Sequence, residues 1–483
     1  MAVKYVVLAC GLAACNGDGA VLAPVIDQPV NDSASAFPLD SITISAAHQG
    51  AVVDIVSQTL TKNQAIDLTG VPFGDDLVLH MTGQLSSSPV AYGRTCEFSL
   101  EQNAPPPTPH LYFAHTVKFG QQSFTPLLRL GGAAVTYHDG SALFIGGVSP
   151  DSATTPITDV ERYDPSAGEY KLLTMISQRI GPAVALLGLG TEAHVAIVGG
   201  IDVSTGAGAT FVETIEADNP VDRRVERIDD SSMARVGLTA TSLFDGDIIV
   251  MGGSGSGSDP STSVDEIALT NGTPAVLPSH VSLLHGRWNH TATRLGDDLG
   301  AEILIAGGVG SGSNGIVTEI ADAELYKPLT GMFSPSHPTM LIPRSQHHAI
   351  SMPDGSVAIV GGIGSNGPVT EVESFTIDGG FVDAGPLPPN AGVIDFTATA
   401  LPDGRVLITG GRASPGAPPV ATAFIMSINT NTGGIDIVAT DHLTVPRAGH
   451  AATLMCDGTV MISGGTTDPQ PAERYNPIAT SRR

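Results

Sequence analysis

Four of the histidines in the second half of the chain, His290, His347, His348 and His450, lie near the repeated arginines and have a side chain that could bind a metal or transfer a proton. Three of them recur at one position of a repeat, because His290, His347 and His450 each lie three residues after an arginine. A side chain found in several repeats cannot mark one unique site. We interpret the set as a ring of hydrogen-bonded polar residues and predict no catalytic, cofactor-binding or metal-binding residue.

The arginines that precede these histidines form a column of their own. Each stands 17 or 20 residues before a pair of glycines, and one repeat has Val393 at this position instead. We expect each arginine to form a partly buried ion pair with a glutamate of the same or a neighbouring repeat, since guanidinium and carboxylate match in a bidentate geometry. The column consists of Arg129, Arg179, Arg235, Arg287, Arg344 and Arg447.

Seven glycine pairs end apolar runs at steps of 53, 53, 55, 54, 49 and 54 residues. A repeat of about 50 residues made of short strands is typical of a β-propeller. Glycine is expected here because the backbone must turn or pack where a Cβ would clash. The pairs are Gly146-Gly147, Gly199-Gly200, Gly252-Gly253, Gly307-Gly308, Gly361-Gly362, Gly410-Gly411 and Gly464-Gly465.

Each repeat has the order arginine, strand, turn, strand, glycine pair, variable loop, and a third strand such as Val160-Glu161-Arg162-Tyr163-Asp164-Pro165. Asp-Gly pairs at 139–140, 354–355, 403–404 and 457–458 predict the hairpin turns. This order resembles Kelch-repeat proteins over residues 111–477. The resemblance implies a seven-bladed propeller. Only six residues follow Pro477, so we predict that residues 111–126 supply the missing strand of the last blade.

The runs before two glycine pairs, Leu401-Pro402-Asp403-Gly404-Arg405-Val406-Leu407 and Met352-Pro353-Asp354-Gly355-Ser356-Val357-Ala358, are also similar to blades of galactose oxidase and glyoxal oxidase. That resemblance implies a copper site of two tyrosines and two histidines, with one tyrosine cross-linked to a cysteine of the propeller. Cys456 is the one cysteine in residues 111–477. Since this ligand set is not evident, we predict that the chain is not an enzyme.

Composition limits the partners. The chain has 483 residues, with 22 Lys+Arg against 48 Asp+Glu and a formal charge of −26. A polyanion repels phosphate backbones, so we predict no nucleic-acid binding and membrane contact only through a lipid anchor. Calcium binding is the alternative use of the acidic groups.

The N-terminus has the pattern of an export signal. Lys4 precedes an apolar run, and Leu12-Ala13-Ala14-Cys15 resembles the lipobox of bacterial lipoproteins. We predict a signal peptide at 1–14, lipidation of Cys15 and an envelope location, with an ordinary cleavable signal as the alternative. Two further cysteines, Cys96 and Cys456, could pair in an oxidising compartment, but we favour two buried thiols.

Composition also divides the chain into domains. We predict a flexible tether at 15–36, a β-sandwich-like domain at 37–104, a proline linker at 105–110, the propeller at 111–477 and a tail at 478–483. The linker predicts few contacts between the two folded parts. The fold class is therefore all-β: a seven-bladed Kelch-type propeller preceded by a small sandwich-like domain.

Together these features predict a monomeric, non-catalytic binding or scaffold protein of the cell envelope. The variable loops after the glycine pairs would recognise a protein or a glycan, because the repeat does not fix their sequence. The alternative is a divergent propeller enzyme of the copper-radical oxidase or carbohydrate-active type.

Overall fold

The computed structural model describes residues 19–31, 39–60, 66, 68–216, 225–255, 259–311, 316–429, 432 and 434–477. The predicted signal peptide, Cys15 and the tail at 478–483 lie outside these ranges. Almost all regular structure described is β-strand, with short 3-10 turns at Gly190–Glu192, Ser231–Met233 and Pro328–Thr330. The predicted all-β class is confirmed. Within the described ranges, no helix has the length and apolarity that crossing a membrane requires.

The first part of the chain forms a seven-stranded sheet and a two-stranded one. The larger sheet has the order β2-β9-β7-β6-β3-β4, with β8 also paired to β6, and the smaller sheet pairs β1 with β5. Apolar side chains such as Ile44, Leu79 and Phe113 form one core beneath it. The strands are β1 Gly19–Leu22, β2 Val25–Asp27, β3 Ser41–His48, β4 Val56–Leu60, β5 Leu68–Pro72, β6 Gly74–Leu85, β7 Ser88–Arg94, β8 Phe98–Leu100 and β9 His110–His115.

The rest of the described chain forms seven antiparallel sheets of four strands each, which we call blades 1 to 7. Strands are given from the first to the fourth of each blade. Blade 1 has Ala133–Thr136, Ala142–Ile145, Asp159–Asp164 and Glu169–Met175; blade 2 has Ala183–Leu187, His194–Val198, Phe211–Ile215 and Val225–Asp229; blade 3 has Thr239–Ser242, Ile248–Met251, Ser263–Thr270 and Thr273–Ser282; blade 4 has Thr291–Arg294, Ile303–Ala306, Ala323–Lys327 and Met332–Phe333. Blade 5 has His348–Ser351, Val357–Val360, Glu371–Thr376 and Gly380–Pro386; blade 6 has Thr397–Ala400, Val406–Thr409, Ala423–Ile428 and Ile435–Ala439; blade 7 has Ala451–Leu454, Val460–Ser463, Glu473–Asn476 and, as its fourth strand, β10 Lys118–Gln121.

Short strands pair in the loops beside the glycine pairs. They are Val148–Ser149, Ser152–Pro156, Arg179–Ile180, Ile201–Asp202, Ala207–Gly208, Arg287–Trp288, Val309–Ser311, Val317–Glu319, Ile363–Gly364 and Gly367–Pro368.

The blades pack face to face in a closed ring. The second strand of every blade is buried along its length, because each blade lies between two others. Seven separate apolar clusters lie between neighbouring blades. The first strand of blade 7 contacts the first strands of both blade 6 and blade 1, which completes the circle.

Blade 7 joins the two ends of the chain. Strand β10 pairs antiparallel with Glu473–Asn476, with Phe119 opposite Tyr475. The Phe119 and Tyr475 rings lie 4.9 Å apart between their centroids. The backbone edge of the last C-terminal strand is therefore covered by an N-terminal strand.

The strands differ from the predicted segments in two places. The segment predicted as a tether contains β1 and β2, because apolar side chains such as Leu22 and Ile26 pack into the N-terminal core. The run at 110–115, expected in blade 7, is β9 of the N-terminal sheet, where it lies between β2 and β7. Val117, with a φ of 61°, separates β9 from β10, so the change of sheet occurs at 116–117 rather than at the prolines.

The N-terminal sheet and blade 7 are also fastened to each other. Cys96 and Cys456 form a disulfide with a Cα–Cα distance of 5.0 Å, so the expectation of two free thiols is wrong. Asn476 Nδ2 donates to the carbonyls of Tyr92 and Ala114, 2.9 Å away in each case. These contacts correct the expectation that few would cross the linker.

Candidate functional site

The six arginines of the column lie buried inside their blades. Five of them pair with a glutamate of the third strand, as Arg344 Nη2 does with Glu373 Oε1 at 2.7 Å, and Arg235 pairs with Asp265. Each also donates from Nη1 to the carbonyl of the first glycine of its pair. The arginine thus ties three parts of one blade together. In blade 6 both partners are apolar: Val393 replaces the arginine and Phe424 takes the register of the glutamate.

The glycine pairs lie where one blade meets the next. All fourteen glycines have positive φ values. At blade 7, Gly465 N donates to the carbonyl of Arg129 at 2.8 Å, and a Cβ on Gly464 would lie 2.8 Å from the same oxygen. The pair therefore holds blade 7 against blade 1. The second glycines of blades 2 to 6 make the equivalent bond to the next blade: Gly200, Gly253, Gly308, Gly362 and Gly411.

The first strands of blades 2 to 5 and the residues just before them line an axial pocket of about 310 Å³. This volume lies at the lower end of the range for ligand sites. Blades 3, 4 and 5 supply most of the lining, and the polar part consists of Thr239, Thr241, Thr291, Thr293, His290, His347 and His348. Hydroxyl and imidazole groups therefore face a site of the size of a small organic molecule.

Two of these histidines, and His450 beyond the pocket, join neighbouring blades. His290 Nε2 lies 3.1 Å from Thr239 Oγ1, His347 Nε2 lies 2.9 Å from Thr291 Oγ1, and His450 Nε2 lies 2.9 Å from Thr397 Oγ1. Burial holds the pKa of His290 well below its ordinary value and lowers the pKa values of His347 and His450 to about 3. These three imidazoles are neutral at pH 7 and act as inter-blade contacts, as the repeat predicts.

His348 is different, because it does not belong to that column. Its Nε2 lies 3.0 Å from the carbonyl oxygen of Phe396, and its ring packs on the Phe396 ring at 4.5 Å. A carbonyl oxygen only accepts, so Nε2 carries the proton and Nδ1 carries the lone pair. Burial lowers the pKa of His348, although the Phe396 carbonyl opposes this shift. The side chain is a neutral base in the axial pocket.

The position of His348 in the repeat sets it apart. Every first strand begins at the same register, and the other six first residues are alanine or threonine: Ala133, Ala183, Thr239, Thr291, Thr397 and Ala451. Sequence reasoning noted that His348 stood outside the histidine column but gave it no role. Comparing all seven repeats one position further along would have shown that a titratable side chain occurs there in a single blade.

The rejection of the copper ligand set also assumed that the sequence has no tyrosine–histidine pair, and this was wrong. Tyr137 and His138 are adjacent in the chain, and their ring centroids lie 4.4 Å apart. Tyr137 Oη lies 2.6 Å from the carbonyl of Ala193. Neither residue lines the axial pocket.

No protein-family model matches this chain, and no curated protein matches it. Among solved structures it is similar to a fungal alcohol oxidase with catalytic diversity among the AA5 family, solved in complex with copper. The two share 15% identity over 74% of this chain and 76% of the oxidase, with a TM-score of 0.54. At this identity the likeness supports the propeller fold alone, and it does not establish the Kelch lipoprotein assignment.

The comparison contradicts our prediction that the chain is not an enzyme, because a structurally similar protein uses this fold as an alcohol oxidase. The prediction depended on finding neither the copper ligand set nor another catalytic motif in the sequence. An axial site is assembled from single residues of several blades, so it leaves no such motif in the sequence.

The side chains of the described residues can be compared with the ligand set that a copper-radical centre requires. One group of three His, Cys, Asp or Glu residues has ligand atoms within 4.8 Å of one another in the described ranges: His285, Asp322 and Glu324. Arg287 Nη2 lies 2.7 Å from Asp322 Oδ2 and 2.8 Å from Glu324 Oε1, so a guanidinium already neutralises these carboxylates. Cys456 is held in the disulfide and has no thiol for a cross-link to tyrosine. The described residues do not fit a copper-radical centre.

Proposed function

We propose that this protein is an exported propeller enzyme that acts on a hydroxyl-bearing substrate, a sugar or a related alcohol, in the axial pocket. The observation that carries the proposal is His348: a neutral imidazole with its lone pair on Nδ1, present in one blade only and lining the pocket. The likeness to an alcohol oxidase supports an alcohol as the reacting group.

In this proposal His348 is the general base. A substrate hydroxyl gives its proton to Nδ1, so that an N–H bond forms as the O–H bond breaks, while the other proton stays on Nε2, which continues to donate to the Phe396 carbonyl. The Thr239 and Thr291 hydroxyls can donate to the oxygen that gains charge. Such a base accelerates a reaction by roughly 100- to 10,000-fold.

His348→Ala should therefore lower turnover by roughly 100- to 10,000-fold, the range found for the loss of a general base. The measurement is loss of substrate, followed by chromatography, over a panel of neutral mono- and oligosaccharides and primary alcohols. His337→Ala is the matched control, because His337 is exposed in a loop. Since burial lowers the pKa of His348, activity should persist below pH 6.5 and fall only at more acidic pH.

Two outcomes would contradict this assignment. One is a His348→Ala variant that keeps full turnover. The other is peroxide formation that depends on stoichiometric copper retained through dialysis, which would restore the copper-radical alternative.

We also propose that the protein is a Kelch-type lipoprotein, anchored through Cys15, that works as a monomer on a glycan of the cell envelope and binds no nucleic acid. The Cys96–Cys456 disulfide supports an oxidising compartment. Two acyl chains would suffice to hold a soluble domain at a membrane.

Cys15→Ser should abolish acylation and move the protein from the membrane fraction to the soluble fraction. Incorporation of labelled fatty acid and detergent partitioning measure this. Cys10→Ser is the matched control, because too little apolar sequence precedes Cys10 for a signal to be cleaved there. Unchanged partitioning of the Cys15 variant would refute the anchor without affecting the assignment of His348.

A further inference from the structure

Seven residues, each two positions after the arginine register, have backbone φ values in the left-handed region. Four are glycines, which adopt this conformation readily: Gly131, Gly181, Gly237 and Gly449. The other three are polar and belong to the consecutive blades 4, 5 and 6: Asn289 with φ 51°, Gln346 with φ 55° and Asp395 with φ 55°.

These turns directly precede the first strands, which line the axial pocket. Asn289 and Gln346 directly precede His290 and His347, which line the pocket. Asp395 directly precedes Phe396, whose carbonyl accepts the hydrogen bond from His348. Backbone hydrogen bonds join them around the axis: Asn289 N to the Gly237 carbonyl at 2.8 Å, Gln346 N to the Asn289 carbonyl at 3.0 Å. Gln346 and Asp395 are exposed.

Folding alone does not account for the polar side chains. The same turn is made by glycine in four blades, and a side chain in the left-handed region costs free energy that glycine saves, less for Asn289 and Asp395 than for Gln346. Asn289 also needs a glycine as its neighbour, because a Cβ on Gly237 would lie 2.5 Å from Asn289 Oδ1. Polar residues kept in this conformation in three consecutive blades, next to the pocket lining, indicate a role in binding.

We propose that Asn289, Gln346 and Asp395 form a recognition site for an uncharged sugar, which we call the polar rim. The proposal rests on the proposed function for the place where the sugar reacts. Two amides can each donate to and accept from sugar hydroxyls, and the Asp395 carboxylate can accept from two neighbouring hydroxyls.

Charge determines the class of sugar. Asp395 Oδ2 lies 3.3 Å from Arg412 Nε, so the one cation paired with the rim is already neutralised. A carboxylated or sulfated glycan would find no unpaired cation among the three rim residues and would be repelled by the excess of acidic groups over the whole chain. The rim therefore favours a neutral sugar over an acidic one.

The test is the double variant Asn289→Gly/Gln346→Gly in the full-length protein, since glycine already makes this turn in four blades. Calorimetric titration with neutral oligosaccharides should show at least a tenfold weaker affinity, and turnover of the same oligosaccharides should show a raised KM. Asn271→Gly is the matched control, because Asn271 has φ 53° in an exposed turn away from the axis.

Equal affinity of the double variant and the wild type for neutral sugars would overturn the rim, as would tighter binding of uronic-acid or sulfated glycans. His348→Ala separates the two proposals. Both proposals stand if the double variant loses binding and His348→Ala binds sugar normally but loses turnover. If the double variant loses binding while His348→Ala keeps full turnover, the rim stands and the assignment of the base fails.

Discussion

A chain that starts at Arg129 is expected to lose its single cooperative unfolding transition. It lacks β10, so the strand Glu473–Asn476 of blade 7 would expose its backbone edge and lose the buried Phe119 ring against Tyr475. It also lacks the N-terminal sheet and the disulfide to Cys456. An open edge in a ring that depends on closure favours aggregation.

Thermal unfolding followed by circular dichroism, together with light scattering, measures this effect. A chain that starts at Gly19 is the matched control, because it keeps every strand described and should unfold as the full-length protein does. A chain that starts at Pro109 should also be destabilised, since β9 would lose its neighbours β2 and β7. Equal stability of the Arg129 and Gly19 chains would show that the ring closes without β10.

The second large effect concerns the buried arginine column. Arg344→Val should lower the free energy of unfolding by about 3–5 kcal/mol, because Glu373 would remain buried without its partner. The double variant Arg344→Val/Glu373→Phe reproduces the apolar pair that blade 6 already has in Val393 and Phe424. It should recover part of the loss, since well-packed apolar side chains can replace a buried ion pair.

Denaturant unfolding measures both variants. Lys171→Ala is the control, because it removes an ion pair that is largely exposed rather than buried. The Lys171–Glu169 pair should contribute at most about 1 kcal/mol to the free energy of unfolding. A single variant as stable as the control would show that the column does not stabilise the blades. A double variant less stable than the single one would show that blade 6 is a special case.

Features that repeat were predictable from the sequence. The glycine pairs, the arginines and the Asp-Gly turns recur because every blade packs in the same way. Seven copies of one pattern identify the fold even where the secondary structure of a single segment is ambiguous. Blade 6 shows the limit of this reasoning: the loss of arginine at Val393 was visible, but its compensation by Phe424 depends on a strand register that only the structure gives.

Features that occur once were not predictable. The disulfide depends on where two sheets meet, and nothing in the spacing of Cys96 and Cys456 reports that. The small polar residues at 15–36 suggested a tether, yet Leu22 and Ile26 pack into a core whose other members lie far along the chain. His348 was visible as an exception to a column, but its hydrogen bond to Phe396 in the next blade, which gives it a defined protonation state, was not.

The sharing of blade 7 between the two ends of the chain constrains the order in which the protein can fold. Cys96 emerges from the ribosome 360 residues before Cys456, a delay of roughly 20–70 s at about 5–20 residues per second. During that time Cys96 cannot form its disulfide, and β10 has no partner strand, because Cys456 and Glu473–Asn476 have not been synthesised. Ring closure is therefore a late event, because it cannot precede the synthesis of Glu473–Asn476, the strand with which β10 pairs.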